Sequence, residues 1–154
     1  MRLSTPLVVA AALIAGSVAV ASAQEFKGQI GARQGIMRLN GLAMGTLAGM
    51  ARGQMPYDAE KAQAAADLLV GSSQVSQSLM WPQGSDSDSV EGTRALPAIW
   101  GNYDDVFAKW EAFGKAAAAF QTVAASGQEA LGPGLQSIGG ACSACHDDYQ
   151  KPRN

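Results

Sequence analysis

The chain has 154 residues, 47% of them hydrophobic and 16% charged, with eleven Lys and Arg against thirteen Asp and Glu for a formal net charge of −2. Such a composition excludes a disordered polyelectrolyte and suits one helical domain. It also lacks a basic stripe interleaved with aromatics, which argues against a nucleic-acid partner.

The N-terminus reads as an export signal. Met1 and Arg2 give a positive start, Leu7 to Val20 is a small-residue apolar stretch, and Ala21-Ser22-Ala23 is an A-x-A cleavage site. Residues 1–23 are therefore expected to be removed, leaving a 24–154 domain that begins at Gln24. Losing Arg2 takes the net charge from −2 to −3. The apolar stretch is short and alanine-rich for a membrane span, and no second one follows. A soluble, periplasmic product of a bacterium is expected.

Four helices follow from the pattern. The first runs from about Gly28 to Arg52, with Ile30, Met37, Gly41, Met44 and Ala48 recurring at three- and four-residue steps until Gly53 and Pro56 stop it. Asp58 offers an N-cap to a second, Ala59 to Leu79, whose apolar side holds Ala62, Ala65, Ala66, Leu69 and Val75. A polar, aperiodic loop covers Trp81 to Thr93. Pro97 suits the first turn of a third helix. That helix carries Ile99, Trp100, Tyr103, Phe107, Trp110, Phe113 and Phe120 towards Ala125, with Gly127 as its C′ stop. The fourth is expected from Leu135 to about Gln150, after Gly132-Pro133-Gly134. No segment alternates with period two. Short connections and one long crossover between the second and third helices predict an all-α fold, an antiparallel four-helix bundle with its cofactor site in the core.

The fourth helix contains Cys142-Ser143-Ala144-Cys145-His146. Two thiols at this spacing can add to the two vinyl groups of a haem, and the following His is placed to ligate iron, so the run reads as a c-type haem attachment site. A tetrahedral zinc site wants four protein ligands, more than these two Cys and one His supply. A thioredoxin-like pair expects a βαβ setting that is missing here, and a disulfide would leave His146 unexplained. Gly139 and Gly140, one turn earlier, would admit a flat macrocycle or a closely packed helix.

Two residues of the first helix bear on that haem. Arg33 is four residues before Met37, which puts a charge on the apolar stripe. Such a charge needs a partner. A haem propionate would be one, in the bidentate geometry Arg favours; otherwise the side chain snorkels to solvent. Met37 is either a thioether axial ligand, which raises a reduction potential, or core filler. Asp147-Asp148 reads as a solvated helix face. With no catalytic dyad or second His, an enzyme is not expected.

The chain resembles a class II c-type cytochrome of the cytochrome c′ family over nearly its whole exported length. The matching pieces are Arg33-Gln34-x-x-Met37, Met44-Gly45-x-Leu47, Gly53-x-x-Pro56-Tyr57-Asp58-Ala59, Gly84-Ser85, Thr93-Arg94, Pro97-x-Ile99-Trp100 and Gly140-x-Cys142-x-x-Cys145-His146-x-x-Tyr149. The resemblance implies one covalent haem c per chain with His146 as proximal ligand, and a homodimer through the first two helices. It implies Arg33 and Gln34 near the propionates, the Thr93 to Pro97 segment, Arg94 included, along the haem edge, and Met37 over the distal face. High-spin members bind nitric oxide or carbon monoxide on that face, whereas low-spin relatives ligate iron with a Met there. One departure is Gln150, where many members are basic. The expected function is single-electron transfer with periplasmic redox partners; the alternative is five-coordinate haem that binds a diatomic gas.

Overall fold

The computed structural model describes residues 25–153; the export signal expected in residues 1–23 lies outside them. Its helices are α1 (Lys27–Ala51), α2 (Ala59–Ser73), a single turn α3 (Ala98–Gly101), α4 (Tyr103–Gln121) and α5 (Gln128–Tyr149). Among the described residues the only β-type pairing is an isolated antiparallel bridge, Ala95 to Gln150.

The four long helices form a closed ring. α1 packs on α2 and α5, and α4 packs on the same two, with no packing across either diagonal. Successive neighbours run antiparallel, so the expected bundle is present. No described helix is long and apolar enough to cross a membrane.

The largest core lies at the end where α1 turns into α2 and α4 turns into α5. Leu47, Met50, Ala62, Ala66, Leu69, Ala117, Phe120 and Leu131 are buried there. Asp58 caps α2 as expected, its carboxylate accepting from the Lys61 N–H at 3.0 Å. Tyr57 clasps the two turns together: its hydroxyl donates to Ala124 O and accepts from Gly127 N, both at 3.1 Å. Gly127 is therefore not the C′ stop of the preceding helix. It is the N-cap of α5 with φ 139°, a backbone that a side chain would strain.

Four boundaries differ from expectation. α2 ends at Ser73, not Leu79. Ser73 Oγ donates back to Val70 O at 2.7 Å, and Ser72 Oγ lies 2.9 Å from Leu69 O and 2.5 Å from the buried Asn40 Oδ1. Side-chain bonds of this kind compete with helix continuation. Val75 is consequently exposed, not part of the apolar side. The third helix is broken at Asn102, whose side chain donates to Ala98 O, and α4 then begins under Asp104 and Asp105. Its expected run to Ala125 stops at Gln121.

α5 starts at Gln128, well before Leu135, and carries Pro133 inside it. Pro133 is the sixth residue of the helix, past the four N–H groups that lack intrahelical acceptors, so the helix forgoes one i→i−4 bond, to Glu129 O, at that point. Gly134 next to it is the close-packing glycine, because a Cβ there would run into the Phe120 ring. Apart from the backbone of their own helix and their chain neighbours, nothing lies within 4 Å of a Cβ placed on Gly139 or Gly140, so helix packing is not what keeps those two small. Gly134→Ala is expected to destabilise the fold by about 1–3 kcal/mol through overpacking, measured by urea titration. Gly139→Ala should instead stabilise the fold by up to about 1 kcal/mol, since Ala is the better helix former and nothing blocks its Cβ.

Candidate haem site

At the opposite end, α1, α4, α5 and the crossover enclose a cavity of about 480 Å³, joined to a second of about 360 Å³. Both volumes fall in the usual range of cofactor sites. Cys145 and His146 on α5 line both cavities, as does Met37 on α1; Cys142 and Met44 line the smaller one. α5 supplies the reactive groups at a three-residue step, which places both thiols on one helix face.

Both Cys carry free, half-buried thiols, and burial raises the pKa of each. The His146 pKa is lowered, mainly by burial and then by Arg94, with Asp147 opposing. Its imidazole is thus favoured in the neutral form that binds metals. No group of three or more His, Cys, Asp or Glu able to hold a metal ion occurs among the described residues.

Arg33 does not snorkel. It is 6% exposed, and its guanidinium donates to Ser85 Oγ and Ser85 O at 2.9 Å each and to Thr93 Oγ1 at 3.5 Å. It also lies 4.4 Å from the centre of the Trp81 ring, a cation–π distance. Burial pulls its pKa down, while Tyr103 and Asp86 act in the other direction. Arg33 is a pin through the crossover, and it lines the larger cavity as well. Gln34 assists by donating to Gly92 O at 2.6 Å.

The crossover, aperiodic in sequence, is organised around that pin. Ser85 and Asp86 are buried; Asp86 accepts from the N–H of Asp88 and Ser89 at 2.9 and 3.0 Å. Trp81 O accepts from Trp100 Nε1 and Tyr103 OH, both at 3.0 Å. Thr93 and Arg94 line the larger cavity. Arg94 is held by Lys151 O at 2.7 Å and by Gln150 Oε1 at 2.9 Å, so the uncharged Gln150 serves as an acceptor beside a cation. Pro97 is exposed and lines neither cavity. It caps α3, and Ile99 in that turn is the residue that reaches the site.

Sequence reasoning passed over several lining residues. Trp81, an aromatic stranded in a polar loop, was the readable signal; Val106 and Arg153 gave none. Tyr149 is buried and donates to Asp105 Oδ2 at 2.6 Å. Lys109 bridges Asp105 and Asp148, so Asp148 is part of an α4–α5 link on the solvated face.

Residues 28–150 match the family model described as Cytochrome C′. The chain belongs to the cytochrome c′ family. It is 40% identical to a cytochrome c′ of Cereibacter sphaeroides over 95% of this chain and 98% of that one. A solved cytochrome c′ from Rhodobacter spheriodes superposes with a TM-score of 0.78 at 40% identity, covering 82% and 98% of the two chains. Another, described as having an unusual ligand-controlled dimer dissociation, gives 0.72 at 26% identity, covering 81% and 95%.

As a cytochrome c′, the chain has covalently bound haem c as its cofactor. The residues present fit that group. Paired thiols and an imidazole edge a largely apolar, aromatic-lined cleft.

Proposed function

We propose that this cytochrome c′ is an exported, periplasmic single-electron carrier, cleaved after Ala23. Cys142 and Cys145 hold the haem by thioether bonds, and His146 is its proximal iron ligand. The observation that carries the reading is that His146 from α5 and Met37 from α1 line the same joined cleft. Bound haem supplies reversible one-electron chemistry. The chain's own residues hold and shield it: Arg33 and Gln34 tie the crossover over one edge, and Thr93, Arg94 and Ile99 border it. Trp81, Phe107 and Trp110 exclude water. No substrate turnover is proposed. Leu39 and Leu42 are exposed on α1 and suit a homodimer through α1 and α2, with periplasmic redox proteins as exchange partners.

The deciding experiment is the absorption spectrum with carbon monoxide titration, in wild type and Met37→Ala. With Met37 as distal ligand, the wild type is low spin and inert to the gas, and the variant becomes high spin, lower in potential and gas-binding. A high-spin wild type that binds carbon monoxide would replace electron transfer by gas binding. If Met37→Ala alters neither spectrum nor gas-binding rate, Met37 is not distal.

A further inference from the structure

The protein's own charge around the haem cleft is one-sided, five cations against the two propionates that bound haem would add. Arg33, Arg38, Arg94, Lys109 and Arg153 line the joined cavities, and none of the thirteen carboxylates does. This occurs in a chain whose overall charge is negative. Two of these cations are committed to internal work: Arg33 pins the crossover, and Lys109 bridges two aspartates. Arg38, Arg94 and Arg153 take part in no ion pair among the described residues. Arg38 and Arg153 are exposed, Arg94 is half-buried, and exposed Lys151 adjoins them through the bond from Arg94 to its carbonyl.

We infer that this collar is the docking face for an electron-exchanging protein that presents carboxylates. The inference rests on the electron-carrier reading and names the partner's chemistry. Charges at the rim of an interface act chiefly on encounter rate and its salt dependence. A patch of one sign at a redox centre can therefore oppose the net charge of the whole molecule. Here it would draw an acidic surface to the one face where the haem is close, and leave the rest of the acidic protein to repel it. Orientation and specificity come from the same few side chains.

The test uses the reduced holoprotein and three oxidants: hexacyanoferrate(III), tris(phenanthroline)cobalt(III), and plastocyanin as an acidic protein probe. Rates are followed from about 10 mM to about 0.2 M salt, where screening length shortens severalfold. The collar predicts that rates with the anion and with plastocyanin fall as salt is added, and that the rate with the cation rises. Net charge alone predicts the reverse. Arg38→Gln with Arg153→Gln should cut the low-salt plastocyanin rate on the order of tenfold and flatten its slope. Lys61→Gln, at the far end of the bundle, should change neither. An anion rate that rises with salt, or a double variant indistinguishable from Lys61→Gln, overturns the proposal. A fall with hexacyanoferrate(III) but not with plastocyanin also overturns it, in favour of a small-anion pocket. Failure to exchange electrons with any of the three sinks the electron-carrier reading itself, an outcome that no salt series could imitate.

Discussion

Replacing Cys145 by Ala is expected to abolish most of the holoprotein. Cys142 and Cys145 lie on one face of α5 beside His146, and Cys145 lines both halves of the cleft. Loss of that thiol leaves one thioether bond at most and removes the anchor nearest the proximal ligand. Haem staining after denaturing electrophoresis, with acid–acetone extraction of the same material, measures the result. Wild type should keep its haem through both treatments. A wild-type chain that releases haem freely into acid–acetone would overturn covalent attachment through these two residues. The side chain is half-buried on a helix whose packing core lies at the other end, so the apo fold should survive, and circular dichroism checks that it does.

The second large effect is on stability. Arg33→Leu removes the donors to Ser85 Oγ, Ser85 O and Thr93 Oγ1 and leaves polar atoms of a fully buried Ser85 short of a partner. Hydrogen bonds to charged groups contribute about 1.5–3 kcal/mol each, and they do not add fully when they share a donor group. A loss of about 3 kcal/mol is expected, a drop in Tm on the order of 10 °C. Arg33→Lys should rescue little, because an ammonium cannot span both Ser85 oxygens and stack on Trp81. An unchanged Tm in Arg33→Leu would show that the crossover holds without its pin. A shift in reduction potential in the same variant would report the propionate contact.

How legible these features were depended on how local they are. The span of α1, the Asp58 cap and the Cys-x-x-Cys-His run are each written within a few residues and could be read directly. The early end of α2 needed knowledge of Asn40 on another helix. The long α5 was masked by Gly132-Pro133-Gly134, which looks like a turn until Phe120 is seen against Gly134. Arg33 was readable as a charge out of place, but its partners Ser85 and Thr93 lie more than fifty residues away in a loop without period. For the same reason Pro97 was drawn towards the site, when Ile99 two residues on is what reaches it.

The Tyr57 clasp and the core beneath it give the bundle two unlike ends. One is knotted by Leu47, Met50, Leu69, Phe120 and Leu131 and cross-tied through Tyr57. The other holds the smaller cluster of Ile99, Val106 and Tyr149, the cleft, and the crossover pinned by Arg33. Local opening free energies follow buried contact, so they should fall along the helix axes from the first end to the second. The consequence concerns biogenesis. Cys145 packs with the smaller cluster and Cys142 against the margin of the larger one, so Cys145 is expected to be the more readily reached thiol in a chain whose far half is already folded, like a hinge that is fastened before the door is closed.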